Sequence, residues 1–135
     1  MSQLPDIPLQ TPLRTETLRE QGIPEPWSFG IADKVRFGEL DVLAHANNAA
    51  YLSWFENFRI SYFKDYGFAD YTGEFPRLVL RQIGVDFLAE LSLNETYIIT
   101  GRTSSLRTTS FRMDYALFSG GTLRATGWAV LVLLS

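Results

Sequence analysis

The segment Arg36-Phe37-Gly38-Glu39-Leu40-Asp41-Val42-Leu43-Ala44-His45-Ala46-Asn47-Asn48-Ala49-Ala50-Tyr51-Leu52 holds an acidic pair, Glu39 and Asp41, then the only histidine of the chain, then two asparagines. On its N-terminal side, Asp33 to Leu40 alternates Val35 and Phe37 against Lys34 and Arg36, the period of a half-buried strand. On its C-terminal side, Ala46 to Tyr66 contains neither glycine nor proline. Apolar residues at Tyr51, Leu52, Phe55, Phe58, Tyr62 and Phe63 follow helical spacing. Asn47 and Asn48 are good N-cap residues and Gly67 is a natural stop, which predicts a helix of about 20 residues, long enough to span a small domain. A strand, a short acidic loop and a long helix are thus expected in succession.

Beyond the helix the period changes to two. Phe111, Met113, Tyr115 and Leu117 alternate against Arg112, Asp114 and Ala116. Strands are expected over Arg77 to Leu88, Glu95 to Thr103, Ser110 to Phe118 and Thr122 to Leu134, with Gly120-Gly121 as a two-residue hairpin turn. A phase slip at Arg81-Gln82 predicts a bulge. Upstream, five of the six prolines fall within the first 26 residues, so residues 1–32 read as an arm, with a short helix over Thr15 to Gln21 stopped by Gly22, and with Trp27 and Phe29 pinning it to the domain. The fold class is α+β, one domain over residues 33–135 in which five antiparallel strands curl around the helix. Such a sheet has open edges, and pairing with a second copy closes them.

Composition narrows the function. The 135 residues are 46% apolar and 14% aromatic, enough for one packed core. A net charge of −3 offers no general attraction to nucleic acid or an anionic membrane. The longest apolar run, Trp128 to Leu134, is far short of the roughly 20 residues a bilayer-spanning helix needs. With no cysteine there is no thiolate nucleophile, and with no basic-then-apolar start there is no signal-peptide pattern; the cytoplasm is the expected location.

No Gly-x-Ser-x-Gly elbow, phosphate-binding loop, dinucleotide fingerprint or His-Glu-x-x-His is present, and one histidine with scattered carboxylates gives no metal-ligand cluster. What remains is Asp41, six residues before Asn47, where a short loop brings its carboxylate toward the free N–H groups at the start of the helix. A carboxylate beside such donors suits attack on an acyl carbonyl; the same placement also suits a simple cap. His45 reads as a hydrogen-bonded loop residue or as a partner of Asp41 or substrate. Asn47 and Asn48 read first as caps, and Tyr51, Trp54, Phe55 and Phe58 as core or pocket wall. Glu56 reads as a solvated or interface carboxylate. Arg81, Arg102, Arg107, Arg112 and Arg124 are candidates for phosphate contacts, and none is singled out.

The segment from Arg36 to Leu52 resembles the signature of hotdog-fold acyl-CoA thioesterases of the 4-hydroxybenzoyl-CoA thioesterase type, and Asp33 to Leu134 fits that fold's order of elements. The resemblance implies that Asp41 is the catalytic carboxylate, acting as nucleophile or general base. It implies that the backbone N–H of Asn48 polarises the thioester carbonyl. His45, Asn47 and Tyr51 match the His-x-Asn-Asn-x-x-Tyr form, with His45 grouped with the catalytic residues and Asn47 and Tyr51 with substrate binding. Where the family usually has a first Asp, this chain has Glu39, whose role stays open. A different branch of related thioesterases places a catalytic Glu on this helix, which makes Glu56 a second candidate. Coenzyme A is part of the substrate, so no separate cofactor is implied, and the expected assembly is a homodimer or homotetramer. Two alternatives remain: an acyl-CoA-binding domain without turnover, and a hotdog hydratase or dehydratase. The usual hydratase motif resembles Asp-x-Asn-x-x-His, whereas here His45 follows Asp41 by four positions with no asparagine between.

Overall fold

The computed structural model describes residues 4–68 and 77–134. Met1 and Ser135, at the outer limits of the expected arm and domain, lie outside them.

The long helix, α2 (Asn48–Asp65), forms where the glycine-free stretch predicts it. Asn47 caps it, its side-chain oxygen accepting from the Ala50 N–H at 2.8 Å, and Gly67 leaves it with φ +73°. Among the described residues six strands surround it, β1 (Pro12–Arg14), β2 (Phe29–Lys34), β3 (Arg77–Phe87), β4 (Thr96–Leu106), β5 (Ser110–Ser119) and β6 (Thr122–Leu134). They form one antiparallel sheet in the order β1-β2-β4-β5-β6-β3. The four strands after α2 match the alternating stretches. The β3–β6 register slips between Leu80 and Gln82, as the phase change predicts, and Gly120 and Gly121 turn the β5–β6 hairpin with φ of 60° and 78°.

Two expectations are corrected. The strand expected over Asp33 to Leu40 instead runs from Phe29 to Lys34, and Phe37 is 81% exposed rather than buried. Asp33 explains the early end. Its carboxylate accepts from the Lys34 N–H at 2.8 Å and pairs with Arg36, and the chain then turns through a 3₁₀ turn over Phe37–Glu39. Among the described residues the sheet also has six strands, not five, because Pro12–Arg14 pairs with β2. The division expected at residue 32 therefore falls inside β2. A short helix, α1 (Thr15–Glu20), follows β1, one residue shorter than expected, with Gly22 just past its end at φ 81°.

Side chains on the two faces of the sheet build two apolar layers. On the inner face, Tyr51, Phe55, Phe58 and Phe63 of α2 pack with Tyr97, Met113, Tyr115 and Leu131. On the outer face, Leu13, Leu18 and Ile23 cover Ile98, Ala116 and Phe118, so residues of the arm close the back of the sheet. Two glycines let α2 approach closely. A Cβ on Gly101 would lie 2.5 Å from the Phe58 ring, and one on Gly127 would lie 3.2 Å from the Phe55 ring. The two rings occupy the space that side chains would fill. Among the described residues no helix is long and apolar enough to cross a membrane.

Candidate active site

Residues 39–47 form a tight hairpin leading into α2. The Asn47 N–H donates to the Glu39 carbonyl at 2.8 Å, Leu40 bridges Ala46, and the Asp41 N–H donates to the His45 carbonyl at 2.8 Å. The Ala44 N–H closes the tip onto the Asp41 carbonyl at 3.0 Å, with Ala44 in the left-handed region at φ 64°. Asp41 thus starts the turn. Its Oδ1 accepts from the N–H groups of Leu43 at 2.8 Å and His45 at 3.3 Å, which orients the carboxylate. No hydrogen bond among the described residues uses Oδ2, and the side chain is exposed. The arrangement is the Asx-type turn that aspartate favours, with one oxygen left over.

At the other end of the hairpin, α2 presents its unpaired first-turn donors. The Ala50 N–H is taken by the Asn47 cap, whereas the N–H groups of Asn48 and Ala49 donate to no acceptor among the described residues. Asn47 is therefore a cap by its side chain, and Asn48 is exposed. His45 Nε2 lies 3.1 Å from Glu90 Oε2, so the imidazole faces Glu90 and not the Asp41 carboxylate. Tyr51 is buried against Phe87 and Trp54, with ring centroids 4.9 and 4.8 Å away. Burial pushes its hydroxyl pKa up, with the charge of Arg124 opposing that rise and those of Glu95 and Glu90 adding to it. Glu56 is exposed on α2, and its side chain makes no hydrogen bond among the described residues.

Residues far along the chain hold this hairpin in place. The Ala46 N–H donates to the Leu91 carbonyl at 2.9 Å and His45 bridges Ser92. That second segment is held by Arg124, which donates to the Glu90 carbonyl at 2.7 Å and pairs with Glu95 at 2.9 Å. Glu95 also accepts from Ser119 at 2.7 Å and from the Ser92 N–H at 3.0 Å. Glu90 and Glu95 escape sequence reasoning, and Arg124 entered it only as a candidate for phosphate contacts, because no periodic or motif signal links these residues to the hairpin. Arg59 is another such case, buried in the helix and donating to the Tyr115 hydroxyl at 3.1 Å. Of the other candidate arginines, Arg112 pairs with Asp114 and lies over the Trp128 ring, while Arg81, Arg102 and Arg107 are exposed. Among the described residues no three His, Asp or Glu side chains form a metal-ligand cluster.

One long helix inside a curved antiparallel sheet is the architecture of the hotdog-fold thioesterases. The structure is similar to that of a thioesterase-superfamily protein from a Jannaschia species, 49% identical over 96% of this chain and 83% of that one, with a TM-score of 0.91. It is also similar to a thioesterase from Thermus thermophilus complexed with coenzyme A and zinc, 32% identical over 78% of this chain and 83% of that one, TM-score 0.67. A DHNA-CoA thioesterase from Staphylococcus aureus, 19% identical over 78% of this chain and 73% of its own, shares the fold at a TM-score of 0.72. A search of curated proteins gives no match. The model of the thioesterase-like superfamily matches residues 35–134, and the chain belongs to that superfamily.

Proposed function

We propose that this protein hydrolyses an acyl-CoA thioester to a free carboxylic acid and coenzyme A, with Asp41 as the catalytic carboxylate. The observation that carries the reading is the hairpin itself. It presents the unshared Asp41 Oδ2 on an exposed turn that leads directly into α2, whose first amides have no acceptor among the described residues. The thioester oxygen receives the Asn48 N–H, which supplies a donor where charge develops without needing a side chain. Asp41 then acts in one of two ways. As a general base it takes a proton from water while the water oxygen bonds to the carbonyl carbon; as a nucleophile it forms an anhydride that water opens. Either way the carbon–sulfur bond breaks, the thiolate leaves with a proton, and the products are acid and thiol.

Asn47 supports the substrate position by capping the helix, Tyr51 forms part of the apolar wall, and His45 lines the site from its station on Glu90. Coenzyme A enters as part of the substrate, and the thioesterase from Thermus thermophilus, which is complexed with it, supports that choice. The reaction asks for no separate cofactor. A second copy of the chain completes the enzyme through β3, an edge strand of the sheet on which Val79, Leu80 and Phe87 are exposed.

The test is thiol release from short, medium, long and aromatic acyl-CoAs, run beside a coenzyme A binding measurement on the same protein. Turnover on at least one member is expected. Binding without turnover across the panel would replace hydrolysis with an acyl-CoA-binding role.

A further inference from the structure

Glu39 is the residue on which the hairpin and the helix converge. Its Oε1 accepts from the Arg36 N–H at 2.8 Å, its Oε2 accepts from Trp54 Nε1 at 2.7 Å, and its carbonyl accepts from the Asn47 N–H at 2.8 Å. One side chain therefore links the start of the 3₁₀ turn to the second turn of α2, while its own backbone opens the hairpin that carries Asp41. The anchor at the far end is rigid. The Trp54 ring stacks on Tyr97 at 4.2 Å and 25°, and it is 3% exposed. The Asp41 carboxylate and the Asn48 amide belong to two separate elements, and reaction at a thioester requires them to keep a fixed separation. The backbone bonds of residues 39–47 fix the shape of the hairpin. The Glu39–Trp54 bond fixes its tilt against the helix.

We infer that Glu39 is a positioning residue for the thioesterase reaction, holding the Asp41 hairpin in register with the N-terminus of α2 through Trp54. This rests on the proposed hydrolysis at Asp41. The chemistry requires a carboxylate of this length. Two N–H donors arrive at two oxygens, and a glutamine has only one acceptor oxygen, so its NH₂ must face a donor. An aspartate, shorter by one methylene, would reach less far toward the Arg36 amide and the indole that Glu39 joins. The open question of why this chain carries Glu at the first acidic position thus has a geometric answer.

The experiment uses Glu39→Gln, Trp54→Phe and the double variant in the full-length protein, with steady-state kinetics on the best acyl-CoA and the indole N–H resonances of the three tryptophans. Trp54→Phe assigns the Trp54 resonance by its loss. In Glu39→Gln that resonance should move and kcat should fall about tenfold or more, with KM within about twofold of the unsubstituted enzyme. The double variant should be no worse than the weaker single, as expected for two partners in one bond. A kcat within about twofold of the unsubstituted enzyme, in a folded Glu39→Gln whose Trp54 resonance has moved, overturns the inference; so does a resonance that stays in place. Should Glu39→Gln not fold, an unchanged kcat in Trp54→Phe overturns it instead. If the unsubstituted protein cleaves no thioester, the functional reading fails separately. The brace is then judged by the Leu43 and His45 backbone amides that donate to Asp41: a shift in Glu39→Gln upholds it, and no shift overturns it.

Discussion

Asp41 spends one oxygen on two backbone amides and keeps the other, while His45, four residues later, spends its Nε2 on Glu90. That difference separates two residues that the motif treats together. A histidine engaged with a carboxylate on another loop braces the hairpin more than it moves protons for Asp41. His45→Ala is therefore expected to lower kcat/KM by no more than about tenfold, measured on the best acyl-CoA. A loss as deep as that of an Asp41 substitution would put the imidazole in the chemistry. Glu90→Ala should match His45→Ala, since each removes the same contact. Asp41 and the asparagines were legible because a capping signal and a family motif coincide in one short stretch. The roles of Glu90, Glu95 and Arg124 were not, since Glu90 meets His45, and Arg124 and Glu95 meet the segment that carries Glu90, only once the fold has brought distant residues together.

Between elements, α2 and the sheet fit because glycines face aromatic rings. Gly101→Ala should destabilise the fold by about 1–3 kcal/mol, because the buried Phe58 ring blocks the new methyl at 2.5 Å and has little room to yield. Phe55→Ala should cost about 3–5 kcal/mol, as it empties a fully buried site stacked on Tyr115 at 4.7 Å. Denaturant unfolding measures both. β1 and the end of α2 are tied by Arg14 and Asp65, at 2.6 Å, and the Arg14 guanidinium holds the Asp65 carboxyl below the usual carboxylate range. A depressed folded-state pKa contributes stability above the unfolded value, about 3.9, and loses it as pH falls through the folded value. Asp65→Asn should thus be slightly less stable than the unsubstituted chain near neutrality and equal to it in acid. A stability gap that persists after full protonation would show that the contact acts by packing.

At this same scale lies the limit of what periodicity conveys. Alternation and helical spacing located α2 and β3 to β6; α2 buries a regular face of Tyr51, Phe55, Phe58 and Tyr62, whereas β3 is exposed or half-buried along its length and was found from its apolar alternation alone. They misplaced the strand before the hairpin. Val35 and Phe37 alternate as a strand does, yet Glu39 captures the Arg36 amide and turns the chain, leaving Phe37 in solvent. β1 gave no signal either, being three residues long and started by a proline.

For the molecule as a whole, the sheet has two unequal edges. β1 is short, whereas β3 offers eleven residues with Val79 and Leu80 exposed, and an edge of that kind invites pairing. Sedimentation should give twice the mass of the chain. Val79→Lys should shift it toward one chain, because a charge on an edge strand opposes strand addition. A species of one chain's mass in the unsubstituted protein would rule the pairing out.

The hydrolysis reading stands or falls with Asp41. Thiol release on the best acyl-CoA should fall at least about a hundredfold in Asp41→Ala, with the unfolding midpoint little changed because the carboxylate is exposed. Turnover that survives the substitution in a folded protein would contradict the assignment and move the search for the catalytic carboxylate to Glu56.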